Sequence, residues 1–490
     1  MKHPGRGRLL ILLSAALSAL LLLPELPPAP PTPAGKRPFV WNRDSLWKSL
    51  EEGFLRYRAT GCGTLEPRIA VALSTLDSLT EAAASMTLTP DASILDRMEE
   101  ATFQLGPMVA ACPENVQRYL VRVAQIRSIV KDQSLAWDPE ALQTRDRLYR
   151  LLYGGRAATE EVMLQLPEGR ADSLLRGDDE PSQAPDTSFL DTRVRSGDIL
   201  VSRGGAPTSA LIARGSDYPG NFSHVALLHV DSATHAASVI ESHIERGVTV
   251  STLEEYLDDV KLRVMVLRLR ADLPALHADP LLPHRAAERA VAGARARHIP
   301  YDFAMDHRDT AEFFCSEVVS AAYRAEGVVL WRGLSSISNP GNAAWLAAFG
   351  VRHFETQEPS DLEYDPQLRV VAEWRNPQVL FMDHVDNAVI DAMLEGAEAG
   401  DRPSYPWYEL PAARVAKAWS WLLNRFGLVG PVPEGMPAGA ALKNRSLSAR
   451  HARIRDGVLR RAEAFRDGSG YLPPFWELLA MARRERDAPQ

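Results

Sequence analysis

Glu312-Phe313-Phe314-Cys315-Ser316-Glu317-Val318-Val319 is the stretch on which the fold turns. It runs from a polar loop into an amphipathic helix whose apolar face is Val318, Val319, Ala322 and Tyr323, so Cys315 falls on the first helical turn. Backbone N–H groups without helical partners and the helix dipole favour a thiolate there by about 0.3 to 1 kcal/mol. A thiol must lose its proton to attack a carbonyl, and proteins achieve this by setting such a cysteine beside an imidazole that a third polar group holds. A cysteine at a helix start is by itself more often a small buried residue, so the reading depends on what lies upstream.

Upstream, Ser223-His224-Val225-Ala226-Leu227-Leu228-His229-Val230 reads as a strand, with His224 on the face of Ala226 and Leu228. An imidazole at the start of an apolar strand is placed to serve as base at a sheet edge. On the next strand, Ser238-Val239-Ile240-Glu241-Ser242-His243, the same period puts Val239, Glu241 and His243 together. Either Glu241 or His243 is suited to orient the ring and stabilise imidazolium.

Five segments occur in a set order: Arg195-Ser196-Gly197-Asp198-Ile199-Leu200, Phe222 to Leu227, Val239-Ile240-Glu241-Ser242, Tyr301-Asp302-Phe303, and Phe314 to Val319. Together they resemble the YiiX/YebB-like group of circularly permuted NlpC-type papain-like cysteine hydrolases. These are related to the lecithin:retinol acyltransferase-like proteins, in which the histidine strand precedes the cysteine helix. The likeness extends through Asp361-Leu362-Glu363-Tyr364-Asp365-Pro366. It implies Cys315 as nucleophile, His224 as base and Glu241 as third member, with Tyr301 and Ser316 on the oxyanion or substrate side. No cofactor and no metal are implied. His224, His229, His235 and His243 are close in sequence but lack an acidic or cysteine ligand at zinc-like spacing.

Around this unit the 490-residue chain is too long for one ordinary core. Residues 41–167 show apolar recurrence at three and four positions and read as a helical domain; Leu46, Leu50 and Phe54 make one stripe, and Asp138-Pro139-Glu140 reads as a helix start. Residues 168–188 are too polar to bury and read as a linker. An α+β domain follows at 190–375, an antiparallel sheet with helices, and residues 380–490 are helical again. Within them, the aromatic-rich segment Val415 to Leu428 could touch a membrane but is read first as a packing surface.

The net charge of −8, without a basic aromatic patch, argues against a nucleic-acid partner. Residues 1–36 begin with Lys2, Arg6 and Arg8, then the apolar run Leu9 to Leu23 and a proline-rich stretch, which reads as a signal peptide or N-terminal anchor. Export to the periplasm, free or membrane-anchored, is the expectation. There Cys62 and Cys112 either pair, leaving Cys315 free, or remain two separate core thiols. The expected enzyme cleaves an amide, ester or thioester of a small-molecule, lipid or peptide envelope substrate. A murein peptide amidase and a binding module on a hydrolase scaffold are the alternatives.

Overall fold

The computed structural model describes residues 21, 23, 25, 30–39, 45–166 and 172–489. The basic residues and nearly all of the apolar run read as an export signal therefore lie outside the described residues. No described helix is long and apolar enough to cross a membrane.

The N-terminal helices span Ser45–Thr60, Cys62–Ala84, Ser93–Ala111, Val116–Ser134 and Leu142–Leu148, the last running through a π-helical turn into Gly155–Leu164. Leu50 and Phe54 of the expected stripe enter a core with Leu65, Ile69, Phe103, Tyr119, Ile126 and Val162. One helix start differs from the sequence reading. The helix begins at Leu142 instead of Pro139, because the Asp138 carboxylate accepts from the N–H of Glu140 (3.0 Å) and closes a turn. Cys62 and Cys112, at two helix ends, meet with a Cα separation of 5.1 Å and are joined as a disulfide.

The strands in chain order are β1 (Leu174–Arg176), β2 (Asp186–Phe189), β3 (Thr192–Arg195), β4 (Ile199–Gly204), β5 (His224–Val230), β6 (Ala237–His243), β7 (Gly247–Ser251), β8 (Lys261–Leu269), β9 (Ser335–Ser336), β10 (Glu355–Thr356) and β11 (Leu368–Trp374). Seven of them form one antiparallel sheet in the order β1-β11-β8-β4-β5-β6-β7, with Leu227 opposite Ile199 and Ile240. The fold is α+β, as expected. Part of the stretch read as a linker joins this sheet as β1, pairing with β11 while its two leucines, Leu174 and Leu175, pack against neighbouring hydrophobic clusters.

Both faces of the sheet are covered, which is why β5 reads as a continuous apolar run. Val225, Leu227 and Ile240 pack with Val318, Val319, Ala322 and Tyr323 of the Cys315–Ala325 helix. Ala226, Leu228 and Val239 pack on the other side with Phe189, Val194 and Tyr256.

Buried ion pairs join the three sequence regions. Arg263 of β8 pairs with Glu160 (2.6 Å) and with Asp383; Arg156 pairs with Glu363 (2.7 Å), and His384 with Glu160 (3.2 Å). Burying these charges is tolerable only because each is paired, so the helical regions and the sheet stabilise one another. The Asp361 to Pro366 segment has its physical role here. Asp361 accepts from Ser335 (2.7 Å), Asp365 accepts from the N–H of Trp331 (2.9 Å), and Glu363 holds Arg156.

Candidate active site

Glu241 is the polar centre of the candidate site. Its Oε2 accepts from His224 Nε2 at 2.6 Å, and its Oε1 faces His243 Nε2 at 3.2 Å and accepts from Ser251 Oγ at 3.2 Å. These partners hold the buried carboxylate well below the usual range, against the desolvation that would raise it. The same contact raises His243 above the ordinary imidazole value. Of the two residues left open on this strand, Glu241 touches the His224 ring, and His243 contacts Glu241 at its other oxygen.

Cys315 opens its helix, where Phe314 is extended at φ −83°, ψ 175° and the first turn starts at the thiol. The loop before it is pinned by Ser242 Oγ, which donates to the Phe313 carbonyl (2.6 Å), and by the Phe313 N–H, which donates to the Pro300 carbonyl (2.9 Å). The backbone N–H of Val225, the residue after His224, faces the Cys315 sulfur and favours its thiolate. That N–H is available because the β5–β6 ladder begins one residue later, at Ala226 opposite Glu241.

The structure thus brings Cys315 within one peptide unit of His224, but the ring makes no hydrogen bond to the sulfur. Alternation along β5 explains this: His224 belongs to the Ala226 and Leu228 side, and Val225 to the side of the cysteine helix.

Cys315 is free and only 7% exposed. Burial pushes its thiol up to about 11, which outweighs the Val225, Ser316 and Cys315 N–H groups that favour thiolate. At neutral pH the resting group is a thiol, contrary to the balance expected from the helix start alone.

Tyr301 lies beside the sulfur. Burial first, and then the neighbouring Cys315, keep its phenol protonated well above the ordinary range, so it remains a donor. Its ring meets Phe303 edge-on at 5.0 Å, and Asp302 shapes the loop by accepting from the N–H groups of Ala304 (2.7 Å) and Asp306 (2.6 Å). Ser316 is fully buried with its hydroxyl against the sulfur. It backs the thiol and does not line a substrate surface.

Sequence reasoning passed over Glu317. It is buried two residues along the helix from the thiol, accepts from the Phe314 N–H (2.9 Å), and is pushed up to about 9 by burial and then by Asp302, Asp309 and Asp306. A protonated Glu317 places no negative charge beside a nascent thiolate. Its position at the third helical residue was the available signal.

The other histidines scatter. His229 stacks on His284 at 5.6 Å, and His235 Nδ1 lies 3.1 Å from the Asp186 carbonyl. Among the described residues, a group with metal-capable ligand atoms close together is Cys62, Glu66 and Cys112, whose sulfurs are already joined.

No curated protein matches the chain. The crystal structure of the metalloprotein YiiX from Escherichia coli O157:H7 aligns with 19% identity and a TM-score of 0.29, covering 37% of this chain and 98% of that one. Residues 193–372 match the model of a family described as permuted papain-like amidase enzyme, YaeF/YiiX, C92 family, and this span contains most of β3, all of β4 to β8, the cysteine helix and most of β11. With the histidine strand ahead of the cysteine helix in an antiparallel α+β sheet, this part of the chain is a permuted papain-like domain of the YaeF/YiiX kind.

Proposed function

We propose that the protein is an exported thiol hydrolase that cleaves an amide, ester or thioester through an acyl-enzyme on Cys315. The observation that supports this best is the 2.6 Å contact of His224 with Glu241, one peptide unit from the N–H that faces the Cys315 sulfur. The family match supports the coarser reading of a papain-like amidase or hydrolase.

In this reading the thiol stays protonated until substrate enters. His224, held by Glu241 through Nε2 at the start of β5, takes the thiol proton on Nδ1 once substrate entry brings sulfur and ring together, and becomes an imidazolium that Glu241 stabilises. The sulfur attacks the carbonyl carbon, and the oxyanion accepts from the Cys315 backbone N–H and the Tyr301 hydroxyl. His224 then protonates the leaving group as the C–N, C–O or C–S bond breaks. Water, deprotonated by His224, releases the acid and restores the thiol.

A non-catalytic binding scaffold is the second reading, favoured by the lack of a His224–Cys315 hydrogen bond and by the raised thiol. Acyl capture from an envelope extract separates the two. An acyl group bound to Cys315 and absent in Cys315→Ala, with an unchanged melting temperature, supports the hydrolase and names its substrate. No adduct under turnover conditions supports the scaffold. A captured muropeptide would make the substrate a murein peptide.

A further inference from the structure

The helix Leu410–Asn424 is inverted. Its inward residues are Leu410, Ala413 and the polar Ser420. The outward stripe is Val415, Trp419, Leu422 and, just past the helix end, Phe426, spaced four, three and four apart so that they share one face. Trp407, Tyr408, Trp421, Leu428 and Val429 extend it, and exposure is 74% at Trp407, 53% at Trp419 and 73% at Phe426. An exposed apolar surface of this extent marks an interaction site.

The segment is firmly seated. Leu410 and Ala413 pack on Ala438 and Leu442, and Ser420 Oγ donates to the Ala416 carbonyl (3.0 Å) while accepting from the Val432 N–H (2.9 Å). Between Trp407 and Val429 the charged residues are Arg414, Lys417, Arg425 and one acid, Glu409, which is paired with Arg445 outside the segment.

A second observation indicates what covers this face. Arg414 donates to the Leu21 carbonyl (2.8 Å), and the Gly439 N–H donates to Glu25 Oε1 (2.9 Å). The end of the uncharged apolar run Leu9 to Leu23 therefore arrives at this helix. We infer that residues 407–429 form a platform that docks the protein onto an anionic lipid bilayer, at the place where the N-terminal apolar run meets the body. Tryptophan, tyrosine and flanking cations are the side chains that suit the membrane–water boundary. The platform also adjoins the candidate site: Ala416, Val432 and Met436 share a cluster with Phe303, whose ring meets Tyr301.

The test uses the full chain and vesicles of about three parts phosphatidylcholine to one of phosphatidylglycerol, with and without brominated acyl chains. The expected result is quenching of tryptophan fluorescence by the brominated lipid, at least halved in the triple variant Trp407→Gln, Trp419→Gln, Trp421→Gln. A single variant, Phe426→Glu, is expected to weaken the quenching without lowering the melting temperature, since the side chain is exposed. It tests the same face on its own if the triple variant does not fold. Absent quenching of the native chain, or equal quenching in the variants, overturns the proposal. So does a lipid-free dimer that Phe426→Glu dissociates, because a second copy would then occupy the face.

Discussion

Glu317→Gln isolates a buried proton two residues from the candidate nucleophile. The side chain is 3% exposed and its acidity is pushed from 4.5 up to about 9, so the folded chain holds a proton at pH 7 that the unfolded chain has released. A carboxyl group whose folded value is raised contributes its full stability at pH values below the unfolded one, and that contribution is lost as pH climbs toward 9. Over the two and a half units between 4.5 and 7, at 1.36 kcal/mol each, the wild type should lose about 3 kcal/mol relative to a permanently neutral residue. Gln is neutral and keeps an oxygen for the Phe314 N–H. The variant should match the wild type near pH 4.5 and exceed it by about 3 kcal/mol at pH 7, less any mismatch of its amide. Urea unfolding of both proteins at several pH values gives the difference. A difference that does not change with pH, or a variant less stable at pH 7, would refute the reasoning, because Glu317 would then be ionised in the fold.

Native Cys315, with its thiol near 11, should react with iodoacetamide faster at each step from pH 7 to 10; a plateau already reached at pH 7 would indicate a preformed thiolate. Glu241→Gln should reduce acyl capture by about a hundredfold or more, and retention of full capture removes Glu241 from the mechanism. The stability that Glu241 provides is present above its unfolded value and lost as pH falls through its lowered folded one, whereas that of His243 is present below about 6.5 and lost as pH rises through its raised value; Glu241→Gln should flatten both limbs of the stability profile. Thiol counting under denaturing, non-reducing conditions should find one free thiol, and replacing Cys62 and Cys112 by Ser should cost about 4 kcal/mol for a sequence separation of 50. Three free thiols would contradict the bridge.

Periodicity alone located β5 and the cysteine helix, because a run of alternating or continuous apolar residues and a polar-to-amphipathic transition are local signals. The same local information picked out Cys315 and His224, and either Glu241 or His243, as candidates for thiol chemistry, since residue type and strand period need no folded context; Glu241 was preferred through the family resemblance. What the sequence left open was decided by packing. The protonation of Cys315 and Glu317 depends on how completely neighbours from distant segments exclude water, and desolvation is a property of the assembled core. The start at Leu142 was hidden because Asp138 serves equally as a helix cap and as a turn former, and only the surroundings choose. The segment Val415 to Leu428 was read first as a packing surface for a related reason: an apolar stripe shows that a surface will be covered but not by what, and here the protein body took the side holding Ser420. Sequence determined which groups can do chemistry; tertiary structure determined which of them meet, which keep their protons and which face outward, because those properties are sums over contacts between residues far apart in the chain.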